Sequence, residues 1–205
     1  MRLLALVLLA AGSAQAPPFA ATVSRVTRAE LGRSWHAGCP VGPSGLRRVR
    51  LTYWGLDDAA HTGSLVVNAD AVADVKRVFG RLYAGRFPLR RMRTVDAYGA
   101  SDDRSMAADN TSAFNCRYAV APGAPRWSAH AYGRAVDVNP VENPYLERGR
   151  VLPRAGRAFL DRAHARRGMA VAGGLVVLAF AASGWQWGGR WTGGPDYQHF
   201  QGPRR

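Results

Sequence analysis

Lysine is almost missing from this 205-residue chain: of its 28 basic side chains only Lys76 is lysine, and the rest are arginine. Acidic side chains number 14, which leaves a formal net charge of +14. An arginine bias of this kind follows from a GC-rich coding sequence and by itself names no function. A charge of that size nevertheless draws a protein towards polyanions, including the anionic polymers of a cell wall. Nucleic acid is the usual polyanion in such cases, but no basic helix interleaved with aromatic residues is present, and no nucleic-acid partner is expected.

Long apolar runs are also scarce. The two longest, Leu3 to Ala11 and Gly174 to Ala182, fall well short of the ~20 residues a membrane-spanning helix needs. The first has Arg2 before it and Ala14-Gln15-Ala16 after it, which is the three-part layout of a secretory signal peptide. Residues 1–16 are therefore expected to be a leader. The mature protein is expected to be secreted or associated with the cell wall, with no stable membrane anchor. Cysteine occurs only at Cys39 and Cys116. In an oxidising compartment these two are expected to pair, and closing so long a loop stabilises by ~4 kcal/mol in the chain-entropy model. The other reading is two buried free thiols.

What is present suits one α+β domain, acting as a monomer. Residues 17–45, with Pro17, Pro18, Pro40 and Pro43, read as an irregular lead-in with one short helix near Ala29 to Trp35. The zinc-site domain proposed below would then span residues 46–205. Leu46 to Trp54 is rich in strand formers, and Ser64 to Val67 is a second short strand. Asn68 is placed to cap a helix whose apolar stripe is Val72, Val75, Val78, Phe79 and Leu82, ending at Gly85. Leu89 to Tyr98 reads as a strand, and Gly99 to Asn115 as a long polar segment of the kind that more often carries function than not. Gly133 to Val138 is a short strand. Arg154 to Arg167 reads as a helix with Ala158, Phe159, Leu160 and Ala163 inward, and the apolar run after it as a buried helix or strand.

Two segments stand out chemically. Zinc-assisted hydrolysis needs three nitrogen or oxygen ligands, an open position for water, and a nearby carboxylate to take that water's proton. Ser128 to Asp137 offers His130 at a bend before a strand and Asp137 on that strand, with small residues between them. The tail offers Asp196 three residues before His199. Singly, each of these residues is more often structural. Their joint spacing makes them candidates. His36, His61 and His164 have no partner motif. Trp185 and Trp187 fit a substrate groove or the core equally well.

Ser128 to Asp137 matches S-x-H-x-x-G-x-A-x-D, and Asp196-Tyr197-Gln198-His199 matches an acid, two spacers and a histidine. In both motifs the chain resembles the zinc D-Ala-D-Ala peptidases of family M15, the VanY-like carboxypeptidases and L-alanyl-D-glutamate endopeptidases. The resemblance implies a small antiparallel sheet carrying zinc, with helices packed around it. It also implies ligands His130, Asp137 and His199, a general base at Asp196 where many members have glutamate, and peptidoglycan stem peptides as substrate. The family's substrate- and oxyanion-binding arginine falls on Arg117 or Arg104. Arg117 is preferred for the oxyanion, while Arg104 and Ser128 remain candidates for holding substrate. Two rivals stand beside this reading, a cysteine-type wall hydrolase using Cys116 and a non-catalytic wall-binding module. Should Asp196 not be the base, Glu142 and Asp109 are the next carboxylates to consider.

Overall fold

The computed structural model describes residues 16–120 and 123–203. The expected leader lies outside the described residues, Ala16 excepted. The chain is α+β, with helices beside small sheets. Strands β1 (Ala21–Arg25), β2 (Leu46–Gly55) and β3 (Ala60–Asn68) form an antiparallel meander, and β4 (Pro88–Leu89) adds in parallel to the far end of β2. Residues 17–45 are thus more ordered than expected, since β1 pairs with β2 from Ala21↔Leu51 to Arg25↔Arg47. The predicted short helix is α1 (Arg28–Leu31), capped by Thr27 and Glu30 and continued by a 3₁₀ turn to Ser34.

β3 is twice the expected length, and both its faces are covered. Leu65 and Val67 enter the main core, while Val66 enters a second cluster with Val26, Leu31, Leu46, Phe114 and Cys116. A strand buried on both sides reads as a continuous apolar run, and the polar residues before that run masked where it began. The stripe predicted for α2 (Val72–Ala84) is correct: Val75, Val78, Phe79 and Leu82 are buried and Gly85 closes the helix. Asn68 caps a 3₁₀ turn, Ala69–Ala71, which leads into α2.

Two expectations fail for one physical reason: side chains take the backbone's hydrogen bonds. Between Leu89 and Tyr98 no long strand forms. Asn110 Oδ1 accepts from the Arg93 amide at 2.8 Å, Asn110 Nδ2 donates to the Arg93 carbonyl at 2.9 Å, and Val95–Tyr98 is a 3₁₀ helix. Arg154–Phe159 is also 3₁₀ and goes no further, leaving Ala158, Leu160 and Ala163 exposed and Phe159 half-buried. There the Asp161 carboxylate accepts from the amides of Ala163 and His164, a local turn that competes with helix. The Arg162 guanidinium turns inward to the carbonyls of Glu142, Phe159 and Ala170.

The polar segment after Tyr98 contains α3 (Asp102–Ala107), and β5 (Ala135–Asp137) falls within the predicted short strand. A hairpin of β6 (Tyr145–Glu147) and β7 (Arg150–Leu152) follows. The apolar run near residue 178 is a helix, α4 (Leu175–Ala181), leading to β8 (Gln186–Trp187) and β9 (His199–Gln201). The second sheet has the order β5-β9-β8, all antiparallel. Val136, Val138 and Phe200 pack it into the core built by α2 and β2–β3, with Phe200 stacked on Phe180 at 4.2 Å. No helix among the described residues is long and apolar enough to cross a membrane.

Cys39 and Cys116 are bonded, tying the N-terminal segment to the chain that precedes the zinc-type motif, 77 residues on. Closing a loop of that length predicts that Cys39→Ser/Cys116→Ser lowers the unfolding free energy by about 4 kcal/mol in denaturant titration. A change below ~1 kcal/mol would show that the crosslink constrains little.

Candidate functional site

Two-residue periodicity builds the site. Val136 and Val138 point into the core, so Asp137 between them points the other way. Phe200 points into the core, so His199 before it takes the opposite face. The register Asp137↔His199 then sets the two side chains opposite each other on one face of adjacent strands. His130 arrives from the 3₁₀ turn Ala129–Tyr132, whose first amides are capped by Ser128. Gly133 ends that turn at φ +66°, where a Cβ would lie 2.5 Å from the Asn68 amide nitrogen. Only glycine lets this turn close onto β3 at a left-handed backbone angle.

The three side chains converge. His130 Nε2 lies 3.1 Å from Asp137 Oδ2 and 3.2 Å from His199 Nδ1, and His199 Nδ1 lies 3.1 Å from Asp137 Oδ1. All three residues are buried. The outer nitrogens are engaged elsewhere: His130 Nδ1 reaches the Ala113 carbonyl at 2.6 Å, and His199 Nε2 faces Gln201 Oε1 at 3.3 Å. A carbonyl or amide oxygen accepts only from N–H, so each contact leaves a lone pair on Nε2 of His130 and Nδ1 of His199, both turned inward. Tetrahedral ligation with bonds of ~2.0–2.1 Å requires donors ~3.3 Å apart. The donor set fits a zinc-like cation in identity and in spacing.

The electrostatics agree with such a role. Burial works against charge on His130, yet the Asp137 carboxylate outweighs it and raises the imidazole above its ordinary value. Burial would likewise raise Asp137, but His130 and His199 hold it well below the usual carboxylate range. A buried carboxylate held between two imidazoles gives the site the charge and the donors that suit a cation.

These residues line a cavity of about 680 Å³. Asp196 opens onto it from the turn before β9, held by its amide to the Gly188 carbonyl at 3.1 Å. Its Oδ1 is buried with no hydrogen-bond partner. Burial pushes this carboxyl up to about 7; His199 opposes the shift and the Asp137 carboxylate adds to it. Arg117 also lines the cavity, braced by Asp102 at 2.7 Å, as does Ser128. Arg104 does not: it is exposed on α3 with its guanidinium against Gly99. Trp191 leans over His199 with ring centroids 5.2 Å apart, while Trp185 and Trp187 pack against the core.

Residues 122–202 match the sequence model of the D-alanyl-D-alanine carboxypeptidases. Over this segment the chain is similar to that peptidase family. Every residue of the convergent site lies within the family segment, and Arg117 and the polar segment lie before it. No curated protein and no solved structure matches the chain.

The family's histidine motif was legible in sequence, but the side chains that orient it were not. Gln201 and the Ala113 carbonyl carry no motif signal, and neither does the bracing of Arg117 by Asp102. The cysteine-hydrolase alternative is overturned, because Cys116 Sγ is bonded to Cys39 and has no thiol to deprotonate. His61 and His164 are engaged by Asp57 and Asp161, and neither they nor His36 line the cavity.

Glu142 and Asp109 do not line it either. Burial and then the Asp109 carboxylate raise Glu142 to about 8. A carboxyl raised in the folded state stays protonated there after the unfolded chain has released its proton near pH 4.5. Its stabilising effect is therefore full below pH ~4.5 and is lost as pH rises towards 8. Glu142→Gln is expected to flatten that decline, measured as melting temperature at pH 5 and pH 8. An unchanged slope would remove Glu142 from this account.

Proposed function

We propose that this peptidase is exported, binds one zinc ion through His130, Asp137 and His199, and hydrolyses peptide bonds in peptidoglycan stem peptides. The observation that carries the reading is Asp196, whose Oδ1 is buried without a hydrogen-bond partner, on the same cavity as two inward imidazole lone pairs and a carboxylate. Glu142 Oε2 is also buried without a partner, but only Asp196 combines such an oxygen with a place on the cavity that the candidate donors line. When bound, zinc supplies Lewis acidity that makes water a nucleophile near neutral pH and polarises a carbonyl.

The remaining work falls to the chain's own residues. Asp196 accepts the proton of the attacking water and returns it to the leaving amine, a task suited to a carboxyl whose pKa lies near 7. Arg117, held by Asp102, faces the oxygen on which charge develops. Arg117→Ala is expected to lower kcat/KM about 100-fold, mostly in kcat, with lysine at this position recovering part of the loss. A change confined to KM would make Arg117 a substrate anchor alone. The cavity wall also carries Asp102, Asp103 and Glu147 together with Arg126 and Arg150, the last paired with Glu147 at 3.8 Å. That mixture suits a substrate with both free carboxylates and a free amine, as stem peptides have. Mass spectrometry of muropeptides digested by the metal-loaded protein tests the reading. Loss of a terminal alanine or scission within the stem supports it, and intact muropeptides refute it. The disulfide supports an extracytoplasmic location.

A further inference from the structure

A second cleft, of about 420 Å³, shares no lining residue with the catalytic cavity. It opens where the ends of β2 and β3 meet residues 90–93, and three of those four residues are arginine. Met92 is buried, so Arg91 and Arg93 on either side of it both turn outward and are exposed. Arg90 approaches Asp109 at 3.7 Å. Arg91 and Arg93 make no ion pair or side-chain hydrogen bond among the described residues.

The backbone beneath these arginines is held unusually firmly for an exposed segment. The Asn110 side chain brackets Arg93 on both its amide and its carbonyl, Asn139 Oδ1 accepts from the Arg90 amide at 3.1 Å, and the Arg91 carbonyl accepts from Thr111. Asn110, Thr111 and Asn139 are fully buried. Gly63 of β3 lets the Met92 backbone come so close that a Cβ there would stand 2.6 Å from the Met92 carbonyl oxygen. The arginines therefore sit on a preorganised edge.

The floor is polar and aromatic. Tyr53 stacks on His61 at 5.4 Å, and His61 Nε2 engages both oxygens of Asp57, the one acidic side chain that lines the cleft. Burial holds the Tyr53 phenol above its ordinary range, and Asp57 adds to this, with Arg93 and Arg91 acting against them.

We infer that this cleft binds successive phosphates of a phosphodiester polyanion, of the polyol-phosphate type found in cell walls, and so holds the peptidase at its substrate layer. Guanidinium forks match phosphate oxygens bidentately, and Arg91 and Arg93 flank the buried Met92, so their backbones stand at most ~7 Å apart and both side chains can reach neighbouring phosphates of one polymer. The nature of the polymer rests on the proposed extracytoplasmic function. The cleft itself rests on its own geometry.

The test is binding of poly(glycerol phosphate) to the full mature chain across a salt series, beside hydrolysis of a small soluble peptide. Arg91→Gln/Arg93→Gln is expected to weaken polymer binding at least tenfold. It should also reduce the log–log salt slope by about 1.5, two phosphate contacts' worth, and leave peptide hydrolysis and melting temperature unchanged. Arg154→Gln/Arg157→Gln removes the same charge from another exposed site and should have little effect. Equal losses in the two variants, or none in the first, overturn the proposal. Duplex DNA bound as tightly as the polymer at the same salt overturns the identity of the partner. A protein that binds polymer through these arginines but cuts no muropeptide refutes the proposed function and leaves the cleft standing.

Discussion

Mature protein in which His130 or His199 is replaced by alanine is expected to purify without zinc and to show no measurable peptidase activity, whereas the unaltered chain should carry one zinc per molecule. The motive is the convergence of His130 Nε2, His199 Nδ1 and Asp137 within 3.1–3.2 Å. Losing one of three protein ligands leaves too few donors to compete with water for the ion. The variants differ in what they leave behind. His130→Ala strands the buried Asp137 carboxylate without its strongest partner, which typically costs ~3–5 kcal/mol, so folding must be followed by melting temperature alongside metal content. His130→Gln keeps a donor of similar length and separates the two effects: it should remain folded and still lack zinc. Stoichiometric zinc in a folded His130→Gln/His199→Ala protein would overturn the ligand assignment.

Asp196→Asn is expected to keep the zinc and the fold while turnover falls by about 10²- to 10⁴-fold, the range a positioned acid–base group contributes. Asp196 is not among the three convergent donors, its Oδ1 has no partner to lose, and its backbone anchor to Gly188 does not depend on the side chain. Because asparagine removes an ionisable group from a buried position, thermal stability should hold or rise slightly. Release of zinc by this variant would make Asp196 a ligand. Undiminished cleavage would require another base, and neither Glu142 nor Asp109 lines the cavity from which one could act. The pH profile gives an independent readout: the low-pH limb of kcat/KM should disappear in the variant.

The parts of this molecule legible in sequence are those in which one short stretch of chain decides the outcome. The three-and-four spacing of Val75, Val78, Phe79 and Leu82 forces an amphipathic helix, and the structure has it. The residue types from Ser128 to Asp137 and from Asp196 to His199 resemble the two motifs of the zinc peptidase family, and residues 122–202 match that family's sequence model. Where reading failed, a distant group had intervened. Residues 90–93 look like a strand until Asn110 and Asn139 take their hydrogen bonds, and Arg154 to Arg167 looks helical until Asp161 and Arg162 are engaged locally and across the fold. β1 was hidden because two prolines precede it and its pairing depends on β2, with Val23 opposite Val49, 26 residues later.

Sequence alone singled out His130, Asp137 and His199 as candidate donors and Asp196 as candidate base, since their identities and spacings are properties of the chain. Tertiary structure alone decided that they meet. Asp137 and His199 stand 62 residues apart, and only the β5–β9 register sets them face to face. That register is imposed by Val136, Val138 and Phe200 seeking one core, because a slip of one residue would turn every side chain to the opposite face. The inward lone pairs of the two imidazoles were likewise invisible beforehand. They depend on Ala113 and Gln201, whose roles come from position and not from chemistry of their own.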